Sequence, residues 1–102
     1  MSLMNQAIDF IHSQKLTLIS KSFSDLEKLK EYTKIEIPEH LKKFEVGLYK
    51  DKISLSEIRI VIQCYLPNPY IPGMGSMTAD GFIMNKEGKI SEIPEKDMYE
   101  FL

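Results

Sequence analysis

The side chain best suited to nucleophilic chemistry in this sequence is the thiol of its single cysteine, Cys64. A catalytic thiolate needs a cationic neighbour or a helix N-terminus to lower its pKa, and usually a histidine that acts as a base. Cys64 stands instead in the apolar phase of a predicted strand, between Ile62 and Leu66. We therefore expect a buried and inert thiol that packs as a small hydrophobic residue.

The sequence contains no arrangement that predicts a metal ion or another cofactor. Its two histidines, His12 and His40, form no HxH or HxxxH pair, and neither has a carboxylate at metal-ligand spacing on a recognisable element. The glycines of Gly73-Met74-Gly75 are not followed by the lysine and helix that a phosphate-binding loop requires. We expect no metal site and no cofactor.

Carboxylates are plentiful, and four of them could face one another across a sheet: Glu45, Asp51, Glu57 and Asp80. General acid–base catalysis needs buried carboxylates with a defined partner geometry, which the sequence does not indicate. No GxSxG motif and no Ser/His/Asp order suggests a hydrolase. The sequence therefore favours a protein that is not an enzyme.

Length and composition predict one small domain over residues 1–102. The chain is 43% hydrophobic and 27% charged, which suffices for one modest core and is too apolar for a disordered tail. We interpret residues 1–3, which precede a second methionine at position 4, as an added leader. A lone cysteine without an export signal favours a cytoplasmic protein.

Charge patterning argues against nucleic acid and membrane partners. Thirteen basic and fifteen acidic residues give a formal net charge of −2, and Arg59 is the only arginine. The lysines alternate with carboxylates and do not form the cluster that phosphate binding requires. The longest strongly apolar stretch, residues 58–66, is far shorter than the roughly 20 residues of a membrane-spanning helix.

Two helices are predicted in the first third of the chain. Apolar residues at helical spacing predict the first over residues 4–13. Three further apolar residues either prolong it or form a short extended stretch: Leu16, Leu18 and Ile19. The capping box Ser24-Asp25-Leu26-Glu27 predicts a second helix over about residues 25–32. An extended segment over 35–37 and a turn or single helical turn over 38–41 follow.

From residue 44 onward the hydrophobic period changes to two, which predicts antiparallel strands over 44–49 and 57–66. We predict an odd loop of three or five residues around 51–53, because a one-residue slip would place charges on the apolar face. The register then pairs three sets of residues: Phe44 with Ile60, Val46 with Ile58 and Glu45 with Arg59.

The second half of the chain predicts a long connection and a further hairpin. Residues 67–81 are dense in Pro, Gly, Asn and Ser, which is typical of a loop. Residues 82–85 and 89–93 predict hairpin strands joined by a turn in which Gly88 has a positive φ. Pro94 is expected to begin a last helical turn.

Helices followed by strands predict an α+β fold, with N-terminal helices packed on one face of a four- or five-stranded antiparallel sheet and a short C-terminal helical turn. This element order resembles the cystatin-like and NTF2-like layouts, in which a curved sheet cradles a helix. The resemblance concerns element order alone and implies neither an activity nor a functional residue.

Two surfaces are predicted to carry function. One is the 67–80 loop, whose methionines and aromatic residues suit partner contacts, or which covers the end of the core. The other is the sheet face away from the helices, which has the composition of an interface or of an ordinary solvated face. Together they supply the predicted interaction residues: Tyr49, Arg59, Val61, Tyr65, Tyr70, Ile71, Met74 and Met77.

We expect a non-enzymatic interaction or regulatory module, in the class that includes immunity proteins, acting as a homodimer or with a protein partner. The alternative is a small-molecule-binding protein or enzyme with a pocket between helix and sheet. The candidate lining residues of that pocket are Tyr32, Tyr70 and Met74, with polar contacts from Arg59 or Asp80. A cavity of roughly a few hundred Å³ at this place would favour the alternative, and a packed core would oppose it.

Overall fold

The structure of the chain is a computed structural model that describes residues 3–67, 70 and 75–94. Two of the predicted interaction residues, Ile71 and Met74, and the predicted helical turn after Pro94 lie outside these residues. No helix in the described part of the chain is both long enough and apolar enough to cross a membrane.

The first helix, α1, spans Leu3–Ile19 and is longer than predicted. Ala7, Ile11 and Leu18 are buried in the core, at positions spaced by one and then two turns of the helix. No glycine or proline interrupts the segment, so the apolar residues after position 13 prolong the helix and do not begin an extended stretch.

The second helix, α2, spans Phe23–Glu27 and begins earlier than predicted. The side-chain oxygen of Ser22 accepts a hydrogen bond from the backbone N–H of Asp25 at 3.1 Å, so Ser22 is the N-cap. The prediction of a capping box at Ser24 is therefore wrong, as is a helix that continues to residue 32. Lys50 Nζ donates to the carbonyl oxygens of Glu27 and Leu29, which satisfies acceptors at the end of the short helix.

Five antiparallel strands lie side by side in the order of the chain. They are β1 Tyr32–Lys34, β2 Glu45–Ser54, β3 Glu57–Pro67, β4 Gly75–Asn85 and β5 Ile90–Ser91. A 3-10 helix, Glu39–Leu41, forms the predicted turn before β2, whereas β1 lies just before the extended segment predicted at 35–37. A long N-terminal helix packed on an open five-stranded antiparallel sheet confirms the predicted α+β class.

The register between β2 and β3 differs from the prediction, although each residue faces the predicted side. Val46 lies opposite Cys64, and Lys52 lies opposite Ile58. Strand β2 continues to Ser54, and a two-residue turn leads into β3. A bulge between Lys52 and Ser54 inserts one residue, which has the same effect on side-chain alternation as the predicted odd loop.

Half of the predicted 67–80 loop is a strand. Residues 75–80 begin β4 and pair with β3, with Gly75 opposite Pro67 and Asp80 opposite Ile62. The predicted hairpin after β4 is confirmed, and Gly88 has a φ of 85° in its turn. Asn85 Oδ1 accepts backbone N–H groups of Glu87 and Lys89, which holds this turn in place.

Alternation along the long strands gives the sheet two faces. We call the side that packs against α1 the helix face. Its buried residues form one core with the helices, and in the strands they are Val46, Leu48, Ile58, Ile60, Ile62, Cys64, Phe82 and Met84. The opposite side, which we call the open face, carries the residues that alternate with these along each strand.

Candidate functional site

A concave groove lies on the open face, over β1, β2 and β3 and the beginning of β4. Residues directly opposite one another in antiparallel strands share a face, so Tyr32 and Tyr49 stand side by side, as do Tyr65 and Met77. The groove has a volume of about 500 Å³. We call it the tyrosine groove, and its open-face lining residues are Tyr32, Lys34, Glu45, Gly47, Tyr49, Gln63, Tyr65 and Met77.

One side of the tyrosine groove is an aromatic pair that rests on a glycine. The ring centroids of Tyr32 and Tyr49 are 5.0 Å apart, and their planes are tilted by 53°. A Cβ atom at Gly47 would lie 2.7 Å from Cε2 of Tyr32, so only glycine lets this ring lie flat against the strand. Burial, with a contribution from Tyr32, raises the pKa of Tyr49. A tyrosine hydroxyl can both donate and accept a hydrogen bond.

On the other side of the groove, another tyrosine ring also lies against a glycine. The ring of Tyr65 lies against Gly75, where an added Cβ would be 2.6 Å from both Cε2 and the hydroxyl oxygen. Gln63 lies between the two sides and is only 5% exposed. Its neighbours across the sheet, Gly47 and Ala79, are small, which makes this part of the face a depression.

The charged residues of the open face occupy two separate places. Lys34 and Glu45 line the groove itself, and the described residues form no ion pair with either. Farther along the same strands, the guanidinium of Arg59 donates a hydrogen bond to the carboxylate of Asp51 at 2.6 Å. The side chain of Arg59 is 11% exposed. The predicted pairing of Arg59 with Glu45 is therefore wrong, because the register places Glu45 opposite Tyr65.

Beyond the groove, the middle of the open face is closed by the end of the described chain. Val61 is fully buried, and its neighbour on β4 is Gly81. A Cβ atom at Gly81 would lie 3.0 Å from Cδ1 of Ile93, which is itself buried. Gly81 therefore leaves room for Ile93 to pack on this side of the sheet.

The structure gathers three of the predicted interaction residues at one site. Tyr49, Tyr65 and Met77 line the tyrosine groove, whereas Arg59 and Val61 lie in neighbouring rows of the same face. Tyr70 lies in the connection after β3 and is 89% exposed.

Sequence reasoning named Tyr32 only for a pocket between helix and sheet, at the end of the predicted second helix, and it did not single out Lys34. Threonine and tyrosine at 32–33, followed by an alternating segment, are a β-strand signal that could have indicated β1.

A polar cluster on the opposite side of the sheet ties α1 to β4. The carboxylate of Asp80 accepts from Lys15 at 3.0 Å and from Gly81 N–H at 2.8 Å, and it contacts His12 Nδ1 at 3.1 Å. Burial by itself would raise the pKa of Asp80, but these hydrogen bonds outweigh it and lower the pKa. The cluster has a structural explanation, since it joins a helix to a strand.

The remaining candidates for chemistry lie apart from one another. Cys64 is fully buried on the helix face, and burial raises the pKa of its thiol to about 11, as expected for an inert cysteine. His40 is exposed in the 3-10 helix. No group of three or more possible metal ligands comes together within residues 3–67, 70 and 75–94.

The residues proposed for a pocket between helix and sheet do not converge. Asp80 lies on the helix face, whereas Tyr32 and Arg59 lie on the open face, and Met74 is outside the described residues. Buried apolar side chains occupy the interface itself, where Ala7 and Ile11 belong to one core with the fully buried isoleucines of β3. The described residues of this set therefore do not line one common pocket.

No protein-family model, curated protein or solved structure matched this chain.

Proposed function

We propose that this chain is a non-enzymatic interaction module of the regulatory or immunity-protein class, which binds a protein partner or a second copy through the tyrosine groove. The observation that carries the proposal is the convergence of Tyr32, Tyr49 and Tyr65 around one concavity on the face that α1 leaves uncovered. We extend the proposal to a cytoplasmic setting, for which the support is a single cysteine that stays reduced in the core.

The composition of the groove supports protein binding. Tyrosine offers a large rigid contact area with few rotatable bonds, and its hydroxyl group still forms hydrogen bonds. Met77 adds an adaptable apolar side chain, and Lys34 and Glu45 add one charge of each sign. A surface that combines aromatic and methionine side chains with a few charges is typical of protein interfaces.

The cysteine and the histidine best suited to chemistry lie outside the tyrosine groove, which supports a binding role for the groove. The thiol of Cys64 is buried on the helix face. His12 is engaged with Asp80, also on that side of the sheet. The groove itself is lined by side chains that suit recognition more than catalysis.

The first test measures association by the purified chain and by two groove variants, Tyr49→Asp and Tyr65→Asp. A carboxylate in the groove would have to be desolvated by any bound protein, so we expect each variant to weaken binding at least about tenfold. Leu55→Asp is the matched control, since Leu55 is 80% exposed in the turn between β2 and β3, away from the groove.

Self-association is measured by sedimentation equilibrium over a range of concentrations. Hetero-association is measured by calorimetry with a partner that has been captured on the wild-type chain and then purified. Circular dichroism checks that each variant is folded, and Tyr65→Ser replaces an aspartate variant that is not. The proposal is contradicted if wild-type association is absent, or if both groove variants associate as strongly as the Leu55→Asp control.

A further inference from the structure

The two edge strands of the sheet are β1, with three residues, and β5, with two. At one edge β5 pairs with Ile83 and Met84 of β4, and Ile93 then packs beside Gly81. At the other edge stands β1, whose three residues are all exposed. Within the described ranges no strand lies on the outer side of β1.

The hydrogen bonds of β1 show which of its backbone groups point outward. The carbonyl oxygen of Glu31 accepts from Lys50 N–H at 2.9 Å, and Ile35 N–H donates to Val46 at 3.0 Å. Backbone groups alternate in direction along a strand, so those of Tyr32 and Lys34 face away from β2. This edge is therefore a template for another strand.

We propose that β1 pairs antiparallel with β1 of a second copy of this chain, with the two-fold axis at Thr33. This dimer deepens the proposed function and rests on it, because Tyr32 and Lys34 line the tyrosine groove and the pairing joins two grooves into one surface.

The two-fold axis could pass through any of three residues of β1, and charge complementarity favours Thr33. In an antiparallel pair outward residues must face outward residues, so the axis passes through residue 32, 33 or 34. An axis at Tyr32 puts Lys30 opposite Lys34 of the second copy, and an axis at Lys34 puts that lysine opposite itself. The axis at Thr33 alone puts no like charges opposite each other.

With the axis at Thr33, every cross-strand pair of the outward residues is favourable. Lys30 lies opposite Glu36 of the second copy, and Tyr32 lies opposite Lys34 of the second copy. Opposite charges and a cation beside an aromatic ring each stabilise a strand pair. Two-fold symmetry repeats each contact, so the self-complementary segment 30–36 provides them twice.

The test is a charge exchange between two variants of the full chain, Lys30→Glu and Glu36→Lys. In a dimer of either variant alone, residue 30 of one copy and residue 36 of the other carry like charges, and symmetry makes this contact twice. We therefore expect the dimer dissociation constant to rise at least about tenfold. When the two variants are mixed, every such pair again has opposite charges. A mixed dimer should form with an affinity close to that of the wild type.

The controls are Lys89→Glu and Glu87→Lys, which make the same changes in net charge at exposed positions in the hairpin between β4 and β5. Sedimentation equilibrium at low and high salt gives the dimer constants, and we expect salt to weaken the wild-type dimer. Both controls should dimerise like the wild type.

Three results would overturn the edge dimer: a wild-type chain that is monomeric at all concentrations, single variants that dimerise like their controls, or a mixture that fails to restore the dimer. If Tyr49→Asp abolishes self-association and Lys30→Glu does not, copies meet through the groove itself and only the edge dimer fails. If a purified partner still requires Tyr65 while the chain is monomeric, the proposed function stands without the dimer.

Discussion

The helix face and the open face are made from the same strands, yet they are packed by different means. Along β3, Ile58, Ile60 and Ile62 are fully buried beneath the helices, where aliphatic side chains fill the space. On the open face, the tyrosine groove is formed by aromatic rings that lie on glycines, with a nearly buried amide at Gln63.

One face of the sheet mainly stabilises the fold, and the other carries the groups that can bind a partner. Aliphatic side chains on the helix face have no polar atoms to offer a partner, and their burial stabilises the fold. Tyrosine hydroxyls and flanking charges on the open face can exchange water for a partner at small cost in stability. Substitutions should therefore act on folding at one face and on recognition at the other.

The largest effect is expected from Phe82→Ala on the helix face. Phe82 is 1% exposed, and its truncation leaves a cavity in the core, so we expect a loss of about 3–5 kcal/mol in the free energy of unfolding. Tyr32→Ala on the open face removes a ring that is 50% exposed and should lose about 1 kcal/mol or less. Guanidinium unfolding followed by circular dichroism measures both, and equal losses would contradict the separation of the two faces.

Two glycines on the open face should respond differently to alanine. A Cβ atom at Gly81 would collide with the backbone carbonyl of Ile60, so Gly81→Ala should lose about 2 kcal/mol of stability. At Gly47 the added atom meets only the side chain of Tyr32, which can turn away.

For Gly47→Ala we expect a loss of about 1 kcal/mol or less, together with displaced NMR signals from the ring of Tyr32. Denaturant unfolding and ring spectra of both variants measure these effects. A Gly47→Ala protein with unchanged ring signals would show that Gly47 does not support the groove.

Acid should weaken the link between α1 and β4 on the helix face. The folded-state pKa of Asp80 is lowered, so this carboxylate stabilises the fold above its unfolded pKa, and the contribution disappears as pH falls through the folded value. Asp80→Asn should therefore be less stable than the wild type at pH 7, with a difference that shrinks below about pH 4. Urea unfolding at several pH values measures it, and Asp9→Asn, at an exposed position of α1, is the control. A difference that does not change with pH would contradict the ionic role.

The last prediction concerns the reactivity of Cys64 and does not involve a change in stability. With a pKa of about 11, roughly one thiol in a thousand is ionised at pH 8, and burial on the helix face blocks access as well. Alkylation by iodoacetamide should be at least about a hundredfold slower in the native chain than in the chain unfolded in guanidinium. Equally fast labelling of both would show that the helix face opens readily.

Much of the fold follows from local signals. Alternation from Val46 onward predicts which residues of β2 and β3 face the core, because a strand with one buried face permits only one phase. The turn at Gly88 is also predictable, since its positive φ suits glycine and few other residues.

The register of the sheet and the groove depended on contacts between distant segments. The bulge beside Ser54 satisfies the alternation as well as an odd loop does, so local pattern does not choose between them. The sequence of residues 75–80 is typical of a loop. These residues nevertheless form a strand, because their backbone groups form hydrogen bonds with those of β3.

Hydrophobic patterning alone predicts an α+β fold, with an apolar strand surface beneath an N-terminal helix and a cysteine in the core. Contacts between distant segments are needed to bring Tyr32 beside Tyr49 and Tyr65 around one groove, and to make β1 an edge of the sheet. The physical reason is that hydrophobic periodicity specifies which side of an element is buried. Which elements become neighbours is set by packing and backbone pairing across the whole chain.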